Sequence, residues 1–295
     1  MRDLTRHRVK LCEERNRIHN RIEKVLQDAS LKLSTVAKDI LGVTGRAIIA
    51  AIIAGQEHPD WLADKAKSRL RSKRNQLRQV LRGKITEHHR WMLRELMKQL
   101  NFVEERIVGV EQELVRRMQP YEALIERLDT IPGVDVVTAW TLIAELGPDM
   151  SVFADAKHAA SWAGLCPGNY QSAGKRLSNR TRKGNRWIRR ALCQAAWAAS
   201  RKKSSYLTAL FFRQAARHGR KKAAVATAHQ ILMIAYHILR DGTVYRELGG
   251  NYFDTLHPER TQKRLVARLE RLGFQVSVRP RSADSNPSQG PHANA

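Results

Sequence analysis

The stretch Leu93-Arg-Glu-Leu-Met-Lys-Gln-Leu-Asn-Phe-Val-Glu-Glu-Arg-Ile-Val-Gly-Val-Glu-Gln-Glu-Leu114 sets the fold class. Its apolar positions are Leu93, Leu96, Leu100, Val103, Ile107, Val110 and Leu114, which alternate steps of three and four residues. That rhythm puts them on one face of an α-helix. Tyr121, Leu124 and Leu128 continue the register. Arg117 occupies one seam position, and Pro120, which has no N–H to donate, must kink or interrupt the helix. A seam of this length predicts an antiparallel hairpin or a coiled-coil dimer. An ordinary amphipathic helix on a globular core would show the same pattern.

Before this seam, the first thirty residues also read as helix. Leu4, Leu11, Ile18 and Val25 recur every seven residues, while the companion seam Arg8, Arg15, Ile22, Ala29 is only half apolar. The apolar segment Leu41 to Ala54 is broken by Gly55 to Pro59, and Lys65 to Lys84 reads as a basic helix. After the long seam, Leu128 to Gly147 reads as helix, a tight turn at Pro132-Gly133, then helix to a glycine stop. This resembles a helix-hairpin-helix, whose turn and following helix N-terminus offer unpaired N–H groups to phosphate. Gly133 is the candidate contact there, although Asp135 places an acid in the turn, and a plain αα-hairpin is the other reading. Phe153 to Leu165 predicts a short helix, and Cys166 to Gly184, rich in Gly, Ser, Asn and Pro, a long loop. Three helices follow, over Asn185 to Ser200, Tyr206 to Arg217 and Lys221 to Arg240, and the tail after about Phe274 is of low complexity and expected to be disordered. The expected fold is mostly α, with long coiled-coil-type helices (1–127), a compact helical domain with a helix-hairpin-helix-like entry (128–252), and a helical then disordered tail (253–295).

The charge is uneven. The chain carries 53 Lys and Arg against 28 Asp and Glu, a net of +25. The stretch Ala156 to Arg240 holds 18 of those basic residues and no acid, so the remainder, 35 against 28, is nearly balanced. Self-repulsion on that scale calls for a polyanion, and a phosphate backbone is the usual one. No apolar run approaches the roughly 18 residues of a spanning helix, and no signal peptide is evident, so a membrane is not expected. Cys12, Cys166 and Cys193 are too widely spaced for a disulfide framework or a zinc site, and a cytoplasmic location follows as the simple reading. The acids Asp129, Asp135, Glu145, Asp149 and Asp155 gather before the basic stretch. Converging acids can hold metals, but acids at such positions are more simply turns and caps.

Within the basic stretch, Ser172 precedes Ala173 and Gly174, small residues that permit close approach, and then Lys175 and Arg176. Cations beside a hydroxyl can hold a phosphodiester and offset the charge that develops as oxygen attacks phosphorus. Arg180, Arg182, Lys183, Arg186, Arg189 and Arg190 extend this positive surface into the next helix. Residue types alone equally describe a loop serine that binds phosphate without chemistry.

The block Gly164-Leu-Cys-Pro-Gly-Asn…Ser172-Ala-Gly-Lys175…Arg182-Lys-Gly-Asn-Arg-Trp…Arg190 resembles the C-terminal domain of the insertion-sequence one-ten family of transposases. Ile131-Pro-Gly-Val134 and Arg2-Asp-Leu-Thr-Arg6 resemble it too, so the likeness runs from Arg2 to about Tyr252. The resemblance implies a DEDD-type, RNA-guided DNA recombinase in which a serine, here Ser172, joins to DNA. It also implies a RuvC-like domain with four carboxylates that hold Mg2+, linked by a coiled coil, and dimers that pair one chain's carboxylate site with another's serine. The segment Met1 to Arg6 resembles the family's segment just after the first part of that domain. The metal half is therefore expected to be absent, and the chain to be a truncated or mis-started transposase without a cofactor of its own. DNA, a guide RNA and a homodimer or higher oligomer are the expected partners. A non-catalytic nucleic-acid-binding and dimerisation protein, and a helical RNA-binding regulator, are the competing readings.

Overall fold

The computed structural model describes residues 1–168, 170–178 and 180–279, with the side chains of residues 170, 171 and 176–178 left aside. The protein is mostly α-helical. Helix α1 (Arg2–Asp28) is followed by α2 (Val43–Ile53), the short α3 (Pro59–Ala63) and α4 (Arg74–Val80), and then the long α5 (Glu87–Met118). The region expected to be one basic helix is instead a 3-10 turn, Ser68–Lys73, and the seven-residue α4. The region buries Ala66, Leu77 and Leu81, too few and too widely spaced to form one continuous helical stripe against the core.

All seven quoted seam residues of α5 are buried, and the seam closes within the chain. α1 lies antiparallel along it. The N–H of Lys84, just before α5, donates to the Ala29 carbonyl just after α1, while Arg8 near the start of α1 bonds Glu111 near the end of α5. Within the chain, α1 and α5 thus form an antiparallel pair, and the α5 seam joins the common core. α5 begins on Thr86, which accepts from the His89 N–H, while the Thr86 N–H donates to His89 Nδ1. His89 is thereby a capping residue. As expected, Pro120 interrupts the register: a 3-10 turn over Gln119–Tyr121 leads into α6 (Glu122–Asp129).

The second half packs α7 (Val136–Leu146), α8 (Ala156–Trp162), α9 (Arg186–Ala199), α10 (Tyr206–His218) and α11 (Arg220–Asp241). α11 is the central post. Its buried face includes Ala224, Ala228, Ile231, Leu232, Ala235 and Leu239, and it meets α6, α8, α9 and α10. Alanines on that face let neighbouring helices approach closely, and the loss of their contacts would leave voids. α12 (Tyr252–Leu256) and α13 (Pro258–Arg271) follow and contribute no buried residue. The low-complexity tail from Pro280 onward lies outside the described residues.

The expected long loop contains a β-hairpin. Strands β1 (Tyr170–Ser172) and β2 (Lys175–Ser178) pair antiparallel, with Ser172 opposite Lys175 and a register irregularity between Tyr170 and Gln171. Strands this short, with one Leu between them, leave no alternation of apolar and polar residues to read. The turn is what makes the hairpin. Ala173 (φ +46°) and Gly174 (φ +74°) are both left-handed, the geometry of a two-residue type I′ connection.

Candidate nucleic-acid interface

Ser172 stands at the exposed tip of this hairpin, one residue before Ala173. Alanine in the left-handed region costs roughly 1–2 kcal/mol relative to its preferred conformations. Such outliers cluster where function repays them. Lys175 is exposed and directly across from Ser172. Arg176 follows it on β2. Among the described residues, no acid–base side chain is hydrogen-bonded to the Ser172 hydroxyl.

The hairpin is pinched at its base. Gly164 and Gly184 lie backbone against backbone: a Cβ added at Gly184 would fall 2.3 Å from the Gly164 nitrogen. Pro167 bridges to Thr181, the Gly168 N–H donates to the Arg180 carbonyl at 2.9 Å, and the Asn185 N–H donates to the Trp162 carbonyl at 3.1 Å. Asn185 then caps α9, its Oδ1 accepting from the N–H groups of Trp187 and Ile188. These contacts fix where the tip points relative to α9. Since no side chain can be added between the two backbones, Gly184→Ala is expected to lower unfolding free energy by about 1–3 kcal/mol. Urea denaturation checks this, and an unchanged midpoint would contradict the pinch.

The candidate clamp residues differ in their surroundings. Arg180, Arg182 and Lys183 lie exposed on the returning limb. Arg186 lies over the Trp187 ring at 4.6 Å, with Arg6 of α1 at 5.8 Å from the same ring. Trp187 is therefore half-buried beneath two guanidinium groups. Arg189 donates to the Gly164 carbonyl at 3.1 Å and so braces the hairpin base, and Arg190 pairs with Glu13 of α1. Gly133 lies elsewhere. A Cβ there would be 2.3 Å from the Ala195 carbonyl oxygen and 2.5 Å from the Ala199 nitrogen, in the C-terminal half of α9. The hairpin leaves the opposite end of that helix, roughly 15–20 Å away at 1.5 Å per residue. Asp135 occupies the α7 N-terminus, its carboxylate accepting from the Thr138 N–H at 2.8 Å. The Ile131–Asp135 turn thus packs on the C-terminal half of α9.

Four of the five acids before the basic stretch are also engaged. Asp149 and Asp155 cap the next two helical turns. Their N–H partners hold both carboxyls below the usual range, the backbone of Ser151 for the first and of His158 for the second. Glu145, with no side-chain exposure, takes Arg6 Nε at 2.8 Å, Arg6 Nη2 at 2.9 Å and Asn185 Nδ2 at 2.6 Å. Its two oxygens tie α1, α7 and the cap of α9 together, a role invisible in sequence because Arg6 lies 139 residues away. Among the described residues no three His, Cys, Asp or Glu converge to hold a metal ion, so a Mg2+ centre does not fit the acids of this part. No helix of the described residues is long and apolar enough to cross a membrane.

A set of cations that sequence reading left apart comes together beside the hairpin. The start of α11 brings Lys221 and Lys222 to the same recess as Arg180 and Arg189, with His218 from the end of α10. The only sequence signal was the run His218-Gly-Arg-Lys-Lys222, whose glycine ends one helix and starts the next.

Comparison with known proteins places this region. Residues 125–211 match the family model described as Transposase IS116/IS110/IS902 family. The chain is 30% identical over 158 residues to the transposase for insertion sequence element IS1328 of Yersinia enterocolitica, a match covering 52% of this chain and 47% of that protein. It is 36% identical over 121 residues to the insertion element IS110 uncharacterized 43.6 kDa protein of Streptomyces coelicolor, covering 40% of this chain and 29% of that one. The chain thus spans less than half the length of these curated relatives. The family match runs from α6 into α10 and takes in the hairpin with Ser172 and its basic flank.

Proposed function

We propose that this protein acts in DNA transposition and that Ser172 is the nucleophile that joins it to a DNA strand. The observation that carries the reading is the position of Ser172, exposed at the tip of a braced hairpin, beside a left-handed alanine and across from Lys175. In the step, Ser172 Oγ attacks a backbone phosphorus. The new Oγ–P bond replaces the bond to one sugar oxygen, which leaves as a hydroxyl and takes up the proton that Oγ loses. The phosphodiester count is conserved, so the linkage is reversible and fit for strand exchange. Lys175 and the arginines of the returning limb offset the phosphate charge. A guide RNA, assembly as a homodimer or larger oligomer, and a cytoplasmic location belong to the same proposal. The α5 seam does not supply the interface of such an oligomer, because α1 already covers it.

The test is a covalent trap. The chain is incubated with DNA carrying an insertion-sequence end and a full-length relative, and adducts of this chain are identified by mass spectrometry. The expected result is an adduct with the native chain and none above background with Ser172→Ala, while DNA affinity changes less than about threefold, since one neutral hydroxyl adds little to a charge-driven interface. An adduct that persists in Ser172→Ala rejects the assignment. One observation favours the non-catalytic alternative: four of the five acids near the basic stretch, Asp135, Glu145, Asp149 and Asp155, are spent on caps and on Arg6. That reading expects salt-sensitive DNA binding, indifferent to chelators, and no adduct with any variant.

A further inference from the structure

We propose that the recess between the hairpin base and the α10–α11 corner receives one unpaired nucleotide of a DNA strand, its base inside and its phosphates at the mouth. The inference rests on the DNA reading above and names which part of the DNA this surface takes. The recess has a volume of about 840 Å³. That is larger than a backbone phosphate requires. Its lining has two characters. Buried Leu165 and half-buried Val225 and Ala226 provide an apolar interior, whereas Arg180, Lys221 and Lys222 are exposed at its edge.

A surface built only to follow a duplex backbone needs cations and no interior, since the phosphates stay outside. An apolar interior ringed by cations suits a nucleotide that has left its stack, with the base against apolar groups and the phosphates against lysine and arginine. Gln214 and His229 also line the recess. The Gln214 amide offers both donors and an acceptor to a base edge. Burial lowers the tendency of His229 to take up a proton, so its imidazole meets a base as a neutral donor and acceptor. The recess shares Arg180 and Thr181 with the limb that returns from Ser172. A strand held there is thereby continuous with the hairpin.

The experiment measures binding of the full chain to two fluorescein-labelled DNA duplexes, identical but for a single extrahelical 2-aminopurine in one. The expected result is that the bulged duplex binds at least about fivefold more tightly, the order given by burying one base, and that 2-aminopurine emission changes on binding. Ala226→Trp, which fills the recess, is expected to reduce the ratio to about one. The double variant Lys221→Ala/Lys222→Ala, on exposed positions that do not enter the core, is expected to lower the ratio as well. Equal affinities for the two duplexes, or a preference that survives both variants, overturns the proposal while leaving the DNA reading intact. Failure to bind either duplex overturns both. Tighter binding of the same bulge in RNA than in DNA also rejects it.

Discussion

Replacing Glu145 by alanine will lower the stability of the protein by about 3 kcal/mol, the scale on which a buried ion pair is broken from one side. The carboxylate has no exposed side-chain surface and receives three hydrogen bonds, two from Arg6 and one from Asn185. Arg6 keeps partial contact with water and recovers some solvation, so its share of the loss is the smaller one. Asn185 loses the bond that orients its amide while it caps α9. The effect should therefore appear in two places: as a fall in the urea midpoint, and as faster hydrogen exchange at the amides of Trp187 and Ile188. Glu145→Gln keeps an acceptor and should cost less than half as much. A Glu145→Ala protein within about 0.5 kcal/mol of the native one would remove this carboxylate as the joint between the two halves.

The second large effect is expected at Gly133. Its φ of +87° is left-handed, and a Cβ would lie within 2.3 Å of one α9 backbone atom and 2.5 Å of another. Backbone atoms cannot move aside as a side-chain end can. Gly133→Ala should cost roughly 1–2 kcal/mol for the conformation and a further 1–3 kcal/mol for overpacking, or about 2–5 kcal/mol together. Thermal unfolding would show it as a drop of several degrees. DNA affinity of the folded fraction, measured well below the midpoint, separates packing from phosphate contact. If stability were native and affinity alone fell, the glycine would belong to the interface after all.

Much of this architecture is legible in the residue order because helices are local. The α5 seam, the break at Pro120, the caps at Asp135, Asp155 and Asn185, and the glycine between α10 and α11 are all set by residues within one or two turns of each other. The acid-free basic stretch and the serine within it are likewise properties of composition and order. The hairpin is not legible in the same way. Its strands are three and four residues long, and its turn is built on Ala173 rather than the usual Asn or Asp.

Residue order alone establishes that the protein is helical, that its positive charge is concentrated in one stretch, and that Ser172 lies within that stretch. Packing establishes the rest: which helix covers the long seam, that Glu145 joins Arg6 to Asn185, that Gly133 packs on α9 away from the hairpin, and that Lys221 and Lys222 face the same recess as Arg180. The physical reason is reach. Periodicity, capping and charge density act between residues a few positions apart, whereas a buried ion pair, a backbone-to-backbone contact and a recess each require groups far apart in the chain to meet, and only the packed core brings them within bonding distance.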